Sequence, residues 1–360
     1  MSPKARKLFH GLKPLIDMIA WEDLVNIVKH YSRAAILEHK GIKAIISERG
    51  GRVIGLFMEG SPNLLWTSPS LEEAYRRYDW NLGGLRVWIS PERNFYYKDP
   101  ERFEGWFCPP GIDPGNYKIV EEAHSSIRVE SPIEAYDYLL KKRLRGWISR
   151  RIELDQLDNL ARLYVHENLL LEYEGDAALW ALAQVNPGSR APGTVIVPVK
   201  EGAKPIHYFG PIPEDRLSIE IDHISFKIDG LRVAKLGIRP EDLRREGEAI
   251  IGYLSELMNG LWCFLALRTL DAPRSQEECL DVAKADPSGP RGAIQSYNSG
   301  PEFGAGFGEI ELQFPPARRI SNKLISTIRY DLLALTGPRD EVIDKAEKIL
   351  EVKEVKLFKG

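Results

Sequence analysis

The chain has 360 residues, 43% of them hydrophobic, which is enough to bury a substantial core. Its 49 Lys and Arg against 52 Asp and Glu leave a formal net charge of −3, so the broad basic surface of a nucleic-acid binder is missing. Three cysteines (Cys108, Cys263, Cys279) and seven scattered histidines form no CxxC, HxH or HExxH spacing, which argues against a metal site or a disulfide framework.

The start, MSPKARKLFHGLKPLIDMIAWEDL, lacks the clean apolar core and cleavage site of a signal peptide. No run is apolar for long enough to span a bilayer. A soluble cytoplasmic protein without membrane or nucleic-acid partners is expected. The short basic runs at 1–7 and 141–151 read as solvated surface.

Residues 21–31, WEDLVNIVKHY, space Trp21, Leu24, Val25 and Val28 for an amphipathic helix, the end of an N-terminal extension over 1–33. From residue 34 the period changes to two. AAILEHKG, IKAIISER and RVIGLFMEG predict an antiparallel meander punctuated by Gly41 and Gly50–Gly51. Further strands are predicted at 85–90, 117–122, 126–131, 147–154, 160–175 (with a helical start left open), 178–185, 193–199 and 218–229.

In the late part, Asn259–Gly260 between two β-rich runs is a hairpin signal. Strands follow at AIQSYN, at GEIELQFP and at LISTIRYDLLAL, then a helix at 339–352 within a C-terminal piece, 338–360. Many short strands with helices only at the ends predict a single all-β, mainly antiparallel sandwich over 34–337. There is no βαβ rhythm, GxGxxG or P-loop, so a nucleotide-binding Rossmann or NTPase reading fails. The Pro-, Gly- and Ser-rich stretch 271–302 reads as a long loop over one end of the sandwich.

Four stretches carry candidate chemistry. In GAGFGEIELQFP, residues 304–315, strand geometry puts Glu309, Glu311 and Gln313 on one face, either a solvated surface or the floor of a cleft, with the preceding glycines letting a loop approach. Two carboxyls on one face raise each other's pKa, as a general base requires. In LRVWISPE, Arg86 and Trp88 share a face and Glu92 follows. Aromatic and charged groups so spaced suit a sugar, and they equally suit a buried Trp beside a surface ion pair. Trp180 in ALWALAQV has a core reading beside the ligand one. Asn298 in IQSYNSGPEFG is a candidate ligand contact, with tight-turn chemistry as the plainer account.

Taken in order, IKAIISERGGRVIGLFMEGSPNLLW, GGLRVWISPE, LWALAQVNPG with GTVIVPV, FKIDGLRVAKLGI and SYNSGPEFGAGFGEIELQFPPA resemble uncharacterised families of the galactose mutarotase-like (aldose 1-epimerase) superfamily, over roughly residues 34 to 336. The resemblance implies a β-supersandwich with a sugar cleft on its concave face. IELQFP is similar to the epimerases' L-E-T-Q motif, which implies Glu311 as the base. Arg86 is implied as a contact to sugar oxygens, with Trp88, Glu92, Trp180, Asn298, Glu309 and Gln313 around the ligand.

The chain departs from the pattern where epimerases carry N-H-x-Y-F-N, because ALWALAQV has no histidine and IHYFG (206–210) falls in the wrong order. His124, His223 and a protonated Glu92 are the other groups that could supply the acid. The implied function is an aldose 1-epimerase-like isomerase acting on a sugar, with no cofactor required because both proton-transfer groups would be side chains. The alternatives are a carbohydrate-binding protein that lacks the chemistry, or an assembly protein, monomeric or homodimeric, whose terminal helices make contacts.

Overall fold

A computed structural model describes residues 18–188, 190–258, 260–303 and 306–359. Asn259 of the predicted hairpin, Gly304 and Ala305 of the glycine run, and the basic stretch 1–7 lie outside the described residues.

Alternating apolar residues build two stacked antiparallel sheets. The first runs, in spatial order, Ala34–His39, Ile42–Ser47, Arg52–Phe57, Leu85–Ser90, Ala178–Val185, Gly308–Pro316, Ile294–Asn298, Ala234–Ile238 and Ile206–His207. The second has eleven strands, with Lys323–Gly337 at its centre between Trp262–Thr269 and Leu160–Glu172. All pairings are antiparallel, which gives the expected β-supersandwich. The strands flanking Asn259–Gly260 pair as a hairpin, Ala249 facing Thr269 and Glu256 facing Trp262.

The faces follow the period of two. Ile310, Leu312 and Phe314 point between the sheets with Leu179, Ala181 and Ala183, all of them fully buried. Each large aliphatic or aromatic group so buried contributes about 1.5–3 kcal/mol. That inward stripe leaves residues 309, 311 and 313 on the outer face of the first sheet.

The helix Trp21–Tyr31 covers one end of this face, Leu24 and Val28 packing with Ile45, Ile54 and Phe57. At the other end of the chain, Arg339–Leu350 lays Val342, Ala346 and Leu350 on Ile196, Leu254, Phe264 and Leu333 of the second sheet.

One expectation left open is decided and two need correction. Residues 160–172 are strand throughout, because the buried Leu163, Val165, Leu169 and Leu171 alternate with outward residues. Helices are not confined to the ends, since Leu71–Arg76 and Glu92–Tyr96 form short ones. A helix of one or two turns shows too few residues for a 3.6 period to stand out. Finally, the stretch read as one strand at 218–229 is two, Leu217–Ile219 and His223–Ile228.

Candidate active site on the concave face

Strand register brings the polar stripe together. Leu182 pairs with Arg86 on one side and with Glu311 on the other, while Trp180 pairs with Trp88 and with Gln313. Across the next strand Gln295 faces Glu311 and Tyr297 faces Glu309, and Lys235 lies beside Tyr297. Residues from early, middle and late strands therefore share one surface.

Their charges are paired. Arg86 Nη2 donates to Glu309 Oε1 at 2.6 Å. Its guanidinium lies over the Trp88 ring, 4.4 Å from the centroid, and Nε is 3.7 Å from Asp113 Oδ2. Asp113 also accepts from Trp88 Nε1 at 2.8 Å and is bonded by Arg52 Nη2. Lys235 Nζ is 3.1 Å from Glu311 Oε2, which also accepts from Trp180 Nε1 at 2.9 Å. The same ammonium sits 4.5 Å from the centre of the Trp180 ring.

Glu92, at the start of its helix, accepts from Trp106 Nε1 at 2.8 Å. Its peptide N–H donates to Asp281 Oδ1 at 3.1 Å, and Asp281 Oδ2 accepts from Gln295 Nε2 at 3.0 Å. Gln295 Nε2 also donates to Tyr208 Oη at 2.8 Å. Tyr208 can lie there because residue 237 is glycine: a Cβ would fall 2.4 Å from the tyrosine ring.

Crowding these carboxyls away from water raises their affinity for protons. Burial is the largest influence on Glu311, partly offset by Lys235 and reinforced by Glu309, and it pushes the carboxyl up to about 8. Desolvation likewise pushes Glu92 up to about 7, with Lys235 opposing and Asp281 adding. Asp281 is raised by burial, again against Lys235. Burial would lower Lys235, but Glu311, Glu92 and Asp281 outweigh it and hold the ammonium above its ordinary value.

Several polar atoms at the floor have no protein partner. They are Glu311 Oε1, Arg86 Nη1, Gln295 Oε1 and both amide atoms of Gln313. Leaving a buried polar atom unpaired costs about 1–3 kcal/mol, so a concentration of them on one face marks a place where something else supplies hydrogen bonds. At the rim, Trp106 is 37% exposed and stands 5.3 Å from Trp80, which stands 5.5 Å from Trp88.

Of the residues singled out from sequence, Arg86, Trp88, Glu92, Trp180, Glu309, Glu311 and Gln313 converge here. Trp88 and Trp180 are nearly fully buried, so Trp106, which sequence reasoning missed, offers the accessible ring. Asn298 does not join them. It alternates with Tyr297 onto the other face, where its Oδ1 accepts from the peptides of Asp229 and Gly230 and its Nδ2 donates to Arg232 O.

None of the histidines considered reaches the cluster. His223 is on the second sheet beside Asp222, His124 is exposed in a turn, and His207 accepts from the Ile212 peptide at the sheet edge. Among the described residues no group of His, Cys, Asp and Glu is arranged to hold a metal ion, and no helix is long and apolar enough to cross a membrane. A hollow of about 1070 Å³ beside Asn63, Trp66 and Asn186 and one of about 620 Å³ beside Tyr164, Arg268 and Asp331 contain none of the converging residues.

Residues 164–309 match the model of a family of unknown function, DUF6786. No curated protein matches the chain. Among solved structures, the chain is similar to a galactose mutarotase-like protein from Lactobacillus casei, with 14% identity, 85% of this chain and 100% of that one covered, and a TM-score of 0.48. It is also similar to a galactose mutarotase related enzyme from Lactobacillus acidophilus, with 10% identity, 90% and 100% covered, and a TM-score of 0.46. A GalM/aldose epimerase homologue from C. elegans shows 10% identity, 85% and 99% covered, and a TM-score of 0.44.

Proposed function

We propose that the protein binds a sugar on the concave face and catalyses ring-opening epimerisation at its anomeric carbon, with Glu311 as base and Lys235 as acid. The carrying observation is the mixture of unpartnered atoms at the floor. Arg86 Nη1 and Gln313 Nε2 can only donate, while Glu311 Oε1, Gln295 Oε1 and Gln313 Oε1 accept. Hydroxyl groups both donate and accept, so a polyol satisfies such a set. The Trp106 ring at the rim suits the apolar side of a pyranose.

In this reading Glu311 Oε1 removes the proton from the anomeric hydroxyl. The electrons of that O–H bond form the carbonyl, and the pair of the breaking ring C–O bond moves onto the ring oxygen. Lys235 delivers a proton there. The ring oxygen leaves as an alkoxide more basic than an amine, so an ammonium is a competent donor even with a raised pKa. Closure on the other face of the carbonyl runs the transfers backwards and restores both groups. Lys235 would thus occupy the role that a histidine has in the related epimerases.

A second reading, binding without chemistry, draws support from Glu311 itself. One of its oxygens is held by two donors, and with a pKa near 8 the carboxyl is mostly protonated at neutral pH. Exchange between α and β anomers, followed by NMR across a panel of aldoses, separates the two. Acceleration that Glu311→Gln abolishes supports the enzyme. Binding with no acceleration supports the second reading and removes the first.

A further inference from the structure

The outer face of the first sheet holds more carboxyl groups than cations to pair with them. Arg52 takes Asp113, Arg86 takes Glu309 and Lys235 takes Glu311. Glu92 and Asp281 remain, and their hydrogen-bond donors are neutral: the Trp106 indole for the first, the Gln295 amide and the Glu92 peptide for the second. Both lie on the ligand side of the floor, in electrostatic contact with Lys235 and with each other. Glu311 Oε1, fully buried and unpartnered, lies on the same face.

Aromatic side chains lie within electrostatic reach of Glu92. Tyr97 and Tyr297 both sense Glu92, and Trp106 donates to it. Carboxylates among aromatic rings are the chemistry that recognises a cation. A phosphate or carboxylate on the ligand would meet a guanidinium and an ammonium that already face Glu309 and Glu311, with Arg86 Nη1 as the unpartnered donor.

Lys284 is also on this side, its ammonium 5.8 Å from the Tyr97 ring and bonded to the Phe103 carbonyl. It is exposed, so water screens its charge.

Resting on the carbohydrate reading above, we propose that the ligand is a cationic amino sugar, its ammonium set against Glu92 with Asp281 behind it. A charge-assisted contact of this kind corresponds to roughly a tenfold preference over the parent sugar. The titratable groups in electrostatic contact with Glu92 are Lys235, Asp281, Glu309, Glu311, Tyr96, Tyr97 and Tyr297. Of these, Lys235 stays charged and the tyrosines stay neutral between pH 5 and 7. With Glu92 raised to about 7, acidification to pH 5 neutralises it and erodes the preference, although the sugar amine is charged at both pH values.

The test is calorimetric or NMR titration of the full chain with glucosamine and galactosamine, their N-acetyl forms, glucose, galactose and the 6-phosphates, at pH 7 and pH 5. The expected result is tenfold or tighter binding of the amines than of the neutral sugars at pH 7, no detectable binding of the phosphates, and a smaller preference at pH 5. Asp281→Asn and Glu92→Gln should each reduce the preference, with thermal melts confirming folding; if neither variant folds, the wild-type panel still decides. Equal or tighter binding of neutral or phosphorylated sugars overturns the cationic assignment while keeping the carbohydrate reading. Failure of every sugar to bind removes that reading as well.

Discussion

Replacing Glu311 by Gln keeps the size of the side chain and removes its proton. The carboxyl's folded pKa, about 8, lies above its ordinary 4.5, so between those values the folded chain holds a proton that the unfolded chain has released. Stability therefore falls as pH rises through this window, by up to about 1.4 kcal/mol per unit and on the order of 5 kcal/mol over its whole width. Local rearrangement and water entry bring the measurable loss to about 2–3 kcal/mol.

Glutamine resembles the protonated acid, so wild type and variant should be equally stable at pH 5. The variant should become the more stable of the two by about 2–3 kcal/mol at pH 8. Urea unfolding at pH 5, 6, 7 and 8 measures this, with the midpoint differences converted at a common slope. Parallel curves at all four pH values would refute the account of a deeply desolvated, proton-retaining carboxyl.

The same ionisation predicts that anomer exchange accelerates with pH between about 6 and 9, because the base works only when deprotonated; a rate that is flat over that range counts against Glu311 in the role. Arg86→Met should cost about 3–5 kcal/mol in unfolding experiments by stranding Glu309, and the Arg86→Met, Glu309→Leu pair should recover part of it. Asn298→Ala should lower stability by about 1–3 kcal/mol while ligand affinity stays within a factor of two, since Asn298 ties the 229–232 turn away from the cleft. Gly84→Ala places a Cβ 2.2 Å from the Val53 carbonyl at a φ of +81°, so a drop in the thermal midpoint together with weaker sugar binding is expected, because Arg86 sits two residues on.

What was legible in the sequence follows the period of two. Glu309, Glu311 and Gln313 could be placed on one face because each neighbour between them is apolar, and the register then carried Arg86 and Trp88 to the same surface. Lys235 was missed because its strand, Ala234–Ile238, is five residues long and lies between turns, too short for alternation to register. Asp281 and Trp106 sit in segments without periodicity, where only three-dimensional closure brings them to the cleft. Asn298 misled because its residue type suits both a turn and a hydroxyl; its parity with Ser296, not with Tyr297, is what set it apart.

The bond from the Glu92 peptide to Asp281 has a consequence for how this cleft can vary. One carboxylate fastens the wall that follows the early strand to the loop crossing from the second sheet, and through Gln295 it fastens both to the floor. Lengthening or shortening the crossing loop between residues 281 and 295 would drag the wall with it. Insertions ahead of residue 281 would leave the mouth undisturbed, so that is where close homologues with differing loop lengths should concentrate them.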